Sequence, residues 1–211
     1  MAGADDRAGS FDKVADPALR AGLLAMAAED RRVRAELATD GSPFDGYHPR
    51  MAEVHCRNAA RLAAALGCHG WPGPALVGGD GAAAAWLVLQ HAIGVPPLTR
   101  RGLALLGRLG PGGVAAAQLA MLGDRVRTFE GRSQCYGTQY DWDQEGQLGP
   151  LPVEDPDRED DLRSSVGLGP LEENTRRVRE WTARAGEWQS PDWAEQQRRK
   201  HEWARSVGWH D

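Results

Sequence analysis

Lysine is almost absent: two (Lys13 and Lys200) stand beside 23 arginines in 211 residues. With 30 acidic groups the formal net charge is −5, which excludes a surface that grips nucleic acid or anionic lipid as a whole. Isoleucine occurs once, and 12 valines are outnumbered by 21 leucines and 32 alanines. That shortage of β-branched residues argues against a large sheet and for helices. Cys56, Cys68 and Cys135 are odd in number and widely spaced, so a disulfide scaffold is not expected. The longest apolar run, Ala82 to Leu89, falls well short of the roughly 20 residues of a membrane span. Met1 to Ser10 carries charges and no apolar h-region, so a cytoplasmic protein is expected.

What is present reads as a chain of helices. Asp16 and Pro17 form a start signal for a first helix to about Ala38, with Leu19, Leu23, Met26 and Val33 on one face. Gly41-Ser42-Pro43 breaks the chain, and a second helix is expected from Pro49 to Leu66, ended by Gly67. Ala82 to Ile93 has no polar side apart from Gln90 and His91, the mark of a buried central helix. Leu98 to Leu109 is amphipathic, and Gly110-Pro111-Gly112-Gly113 turns the chain. Val114 to Leu122 is again apolar almost all round and ends at Gly123-Asp124-Arg125. Tyr136, Thr138, Tyr140 and Trp142 then alternate at the period of a strand, and Asp143 to Gly146 turns it towards Leu148 to Val153. The connection from Asp141 to Asp161 is strongly acidic and reads as solvated. Further helices are expected at about 156–165, 170–186 and 191–206, the last opened by Ser190-Pro191.

Connectivity places the chemistry. Consecutive helices joined by short turns pack antiparallel, so the first and third of three run parallel and end at the same pole. By that argument Gln90-His91, Asp124-Arg125 and the segment Gln134 to Gln139 converge. His91 with Asp124 is the expected acid–base pair, because a carboxylate fixes an imidazole's tautomer and raises its pKa. Tyr136 is the third catalytic candidate, a phenol that shares a proton or orients a ligand. Arg125 would hold a carboxylate or phosphate, with Gln90, Gln134, Thr138 and Gln139 as neutral substrate-binding groups. The same residue types also cap helix ends and lock a hairpin, so a purely structural network is the competing reading.

Other features are weaker signals. His55-Cys56 and Cys68-His69 lack the paired spacings that mark zinc sites, so no metal and no cofactor are expected. Cys135 reads as a small buried residue rather than a nucleophile. The Gly-rich pieces at 78–81 and 110–113 lack the context of a phosphate loop and read as turns. Trp181, Trp188, Trp193, Trp203 and Trp209 crowd the last 31 residues, interleaved with Arg184, Arg198, Arg199, Lys200 and Arg205. Acidic groups balance the basic ones there, which excludes a nucleic-acid surface. Those Trp side chains either fasten an arm onto the body or supply a contact for a second copy or another protein.

The series Gly70-Trp71-Pro72, Val77-Gly78, Gln90-His91-Ala92, Asp124-Arg125-Val126, Gln134 and Tyr136-Gly137-Thr138-Gln139 resembles an uncharacterised bacterial domain-of-unknown-function family with the pattern GWP…VG…QHA…DRV…QxYGTQ. Met26, Asp30, Arg34, Arg163 and Gly167-Leu168 resemble that pattern too, and the likeness runs from about Leu19 to Asn174. The resemblance implies no activity, only that these residues form a shared feature. It implies an acid soon after QHA, where this chain has Ile93-Gly94-Val95-Pro96.

The expected architecture is a mainly α bundle at 16–175 with a hairpin at about 133–153, followed by a Trp-rich helical arm at 176–211. The expected function is a small-molecule enzyme, metal-independent and in specialised metabolism, doing acid–base chemistry on an anionic or amide-bearing substrate. The alternative is a ligand-binding or protein-interaction module whose polar network is structural. Neither reading calls for nucleic acid or membrane.

Overall fold

A computed structural model describes residues 14–39, 47–109, 115–185 and 192–211. Outside them lie Met1 to Ser10, the breaks at 41–43 and 110–113, Trp188 and the Ser190-Pro191 start signal. The fold is mainly α with one short hairpin.

Helix α1 (Pro17–Thr39) begins as expected, with Asp16 Oδ1 accepting from Leu19 N at 2.8 Å. Helix α2 (Pro49–His69) runs through Gly67, contrary to expectation, and ends at Gly70, whose φ of +71° only glycine adopts easily. Helix α3 (Pro74–His91) starts earlier than its apolar run, because the glycines at 78–81 are a kink inside the helix rather than a turn between elements. Leu23, Met26, Ala27, Leu62, Leu66, Val77, Ala85, Val88 and Leu89 join these three helices in one core. A 3-10 turn (Ala92–Gly94) leads into α4 (Pro96–Leu106). There Gly102 lets α4 press on Leu89 so closely that a Cβ would stand 2.5 Å from its methyls. No helix of the described residues is long and apolar enough to cross a membrane.

Helix α5 (Ala116–Phe129) also continues past its expected end, so Asp124 and Arg125 lie within it. The alternating stretch is only partly strand: β1 (Tyr140–Trp142) pairs antiparallel with β2 (Leu148–Pro150), Tyr140 opposite Pro150. Residues 135–139 form an irregular loop instead, because the N–H groups of Cys135, Tyr136 and Thr138 donate to Asp124 on α5 and that of Gln139 to the Gln134 side chain. Helices α6 (Glu159–Ser165), α7 (Leu171–Ala185) and α8 (Trp193–Val207) complete the chain. Helix α7 runs across the boundary expected at 175.

The tryptophan-rich end is fastened to the body. Trp209 is 2% exposed, stacks on Phe129 with ring centroids 5.0 Å apart, and donates its Nε1–H to Ile93 O at 2.7 Å. Trp193 Nε1 donates to Trp142 O at 2.8 Å, and Trp203 packs edge-on against Tyr47. Trp181 is exposed.

Candidate active site

Each of the first three helices contributes one ionisable residue to a common point. Asp30 occupies the core face of α1 between Met26 and Val33, and His55 the core face of α2 beside Val54. His91 is the last residue of α3. His91 Nδ1 lies 2.7 Å from Asp30 Oδ2 in a hydrogen bond, and His55 Nε2 lies 2.9 Å from the same oxygen. The latter approach lacks hydrogen-bond alignment, and His55 Nε2 and Asp30 Oδ1 are buried without a hydrogen-bond partner among the described residues. His55 Nδ1 is bonded to the Tyr47 hydroxyl at 2.8 Å.

Electrostatics tune these groups. Burial alone would raise the Asp30 carboxyl, but the flanking imidazoles of His55 and His91 more than offset it and hold it well below the usual range. Burial pushes the His91 imidazole down, partly offset by Asp30, so the neutral form dominates at pH 7. Burial pushes the Tyr47 phenol up and keeps it protonated.

The cluster opens into a cavity of about 320 Å³ lined by Arg34, Tyr47, His48, Met51, His55, His91, Ile93 and Arg125. Two arginines therefore line the same cavity as the two histidines. Arg125 donates from Nη1 to Gln90 O at 2.7 Å and from Nε to Gln139 Oε1 at 3.1 Å, neutral partners, and it forms no ion pair among the described residues. Burial and the nearby Arg34 lower its pKa to about 10, which still leaves it cationic at neutral pH. Arg34 is exposed and forms no ion pair among the described residues. Larger hollows of about 460 and 340 Å³ lie along α7, but no buried ionisable group lines them.

The residues expected from the sequence divide into two sets. His91 and Arg125 line the cavity, and the others stand behind Arg125. Asp124, 1% exposed, accepts from Cys135 N at 2.7 Å, from Tyr136 N at 3.2 Å, from Thr138 N at 3.1 Å and from Thr138 Oγ1 at 2.9 Å. Its carboxylate is used up by the loop, so the pair expected with His91 does not form; Asp30 takes that place. Gln134, fully buried, donates to Gln139 O at 3.0 Å and Leu151 O at 2.7 Å and accepts from Gln139 N at 2.8 Å. Gly137, at φ +62°, makes the loop's tight bend, where a Cβ would strike Leu171 at 2.7 Å. Tyr136 is tied in through its backbone, its carbonyl accepting from the buried Arg163. Gln90 is buried, with its carbonyl on Arg125 and its Nε2 unpaired among the described residues. The loop thus carries Gln139 to Arg125 and aims the guanidinium.

Asp30, Arg34, Tyr47 and His55 are the residues sequence reasoning did not place in the site. A signal existed for three of them: Asp30 and Arg34 belong to the pattern shared with the family, and Asp30 and His55 each sit on the apolar stripe of an amphipathic helix, where an ionisable group is costly to bury. Cys56 and Cys68, considered beside His55 as ligands, are exposed.

A family model described as a family of unknown function, DUF6624, matches residues 17–183. The chain belongs to the DUF6624 family. The DUF6624 match takes in α1 to α6 and nearly all of α7, so every cavity-lining residue falls within it, whereas α8 and the Trp209 anchor lie beyond. Neither a search of curated proteins nor one of solved structures finds a match.

Proposed function

We propose that this DUF6624 protein is an enzyme that performs acid–base chemistry on a small anionic substrate in the Arg34–His91–Arg125 cavity. The observation that carries the reading is the meeting of two guanidiniums, neither neutralised by a carboxylate among the described residues, with a buried Asp–His–His cluster in one hollow. A planar guanidinium held from behind, as Gln90 O and Gln139 hold Arg125, is prepared for bidentate contact with a carboxylate or phosphate. The His55 and His91 imidazoles, which line the same cavity, supply groups able to take or give a proton next to the bound anion. The volume suits a metabolite rather than a polymer. Three cysteines without disulfides, two of them exposed, suit a reducing cytoplasm.

The test uses the full-length protein with inorganic phosphate, malonate and succinate as probes, read by calorimetry and thermal shift. At least one should bind, and Arg34→Ala should weaken it about tenfold, the size of a lost charge-assisted contact. Equal binding by wild type and Arg34→Ala, or no binding by any probe, would count against the reading.

A further inference from the structure

Hydrogen bonding does not fully account for the inner wall of the cavity. Asp30 Oδ1 and His55 Nε2 belong to side chains 2% and 4% exposed, and neither atom has a hydrogen-bond partner among the described residues. Buried polar atoms are nearly always paired, so two orphans in one cluster call for a missing partner. A cation satisfies both at once, by accepting electron pairs from a carboxylate and an imidazole.

We propose that Asp30, His55 and His91 bind one divalent transition-metal ion of the zinc class. One ligand atom from each residue lies within 4.8 Å of the others, although the residues come from three different helices. Ligands 2.0–2.1 Å from a tetrahedral ion stand about 3.3 Å apart, so the 2.7 and 2.9 Å spacings to Asp30 would open by about half an ångström, and the two histidine nitrogens, within 4.8 Å of each other, would close by up to about 1.5 Å. Two imidazoles and one carboxylate suit zinc, cobalt or iron(II) rather than the all-oxygen preference of magnesium or calcium. His55 also has the outer partner that ligating histidines need: with Nε2 on the ion, Nδ1–H donates to the Tyr47 hydroxyl oxygen. Three protein ligands leave a position open, and both histidines line the cavity, His91 with its side chain 19% exposed. The ion would sit where an anion held by Arg34 and Arg125 can reach it.

This inference rests on the cavity being the reactive site, and it says what would drive the acid–base chemistry there: an ion that acidifies a bound water. The full-length protein, stripped with a chelator and dialysed, is titrated with Co2+ and then Zn2+. The expected result is one Co2+ per chain, visible absorption bands of low-coordinate cobalt, and displacement of those bands by Zn2+. His55→Ala and His91→Ala, with circular dichroism confirming folding, should weaken binding at least about a hundredfold, and Tyr47→Phe about tenfold. Should the histidine variants fail to fold, the wild-type spectrum and Tyr47→Phe still decide. Absence of stoichiometric binding by wild type overturns the proposal, as does a thiolate charge-transfer band or affinity unchanged in both histidine variants. The two readings fail separately. Phosphate or malonate binding without cobalt binding removes the ion alone, whereas cobalt binding with no anion bound removes the anionic substrate alone.

Discussion

Asp30 and Asp124 are buried to the same degree, 2% and 1% exposed, and both sit within helices of the bundle, yet their surroundings differ. Asp124 accepts three backbone N–H groups and one hydroxyl, spread over both oxygens. Asp30 has a single oxygen approached by two imidazoles and a second oxygen without a hydrogen bond among the described residues. A carboxylate whose lone pairs are all spent on its own chain is an architectural element. One left half-spent beside imidazoles and a cavity retains the capacity to hold something else. The sign of the residue and its burial are shared, so the count of satisfied atoms separates the two roles.

The largest effect should come from breaking the satisfied carboxylate. Asp124→Ala strands three amides and the Thr138 hydroxyl, and should cost about 3–5 kcal/mol, seen as a lowered urea midpoint. Thr138→Val removes one donor of that set and should cost about 1–2 kcal/mol in the same measurement. Asp30→Asn gives up the charge that the two imidazoles stabilise but keeps the shape and one accepting oxygen, so it should cost about 1–2 kcal/mol, well below Asp124→Ala, while abolishing the Co2+ spectrum. Arg34→Ala, at an exposed position, should stay within about 0.5 kcal/mol of wild type in urea and register only in anion binding. Equal destabilisation by Asp30→Asn and Asp124→Ala would erase the distinction between the two carboxylates.

The sequence made the pole of the bundle legible and misassigned the acid at it. Helix order, an apolar α3 ending in Gln90-His91, and a loop returning over that end were enough to bring Arg125 onto Gln90 O. Asp124 beside Arg125 then looked like the partner of His91, because adjacency in the chain is visible and the hydrogen-bond demand of an irregular loop is not. The strand expected from Tyr136 to Trp142 hid that demand: paired strands satisfy their own amides, and this segment instead hands three of them to Asp124. Asp30 and His55 were marked by their place on apolar stripes, but two ionisable groups on separate helices carry no common spacing. Only the packing of α1 on α2 and α3 turns them into neighbours. The extent of α5 was missed for a local reason, since Gly123 reads as a stop while the helix continues to Phe129.

Trp209 hydrogen-bonds the carbonyl of Ile93, 116 positions earlier, and Trp203 rests against Tyr47. A nascent chain therefore builds the helices of the bundle while the ribosome is still adding the residues that brace one side of the cavity. At about 5–20 residues per second, adding those 116 residues takes about 6–23 s, for most of which any ion or metabolite would meet a hollow whose lining residues are made but not yet braced.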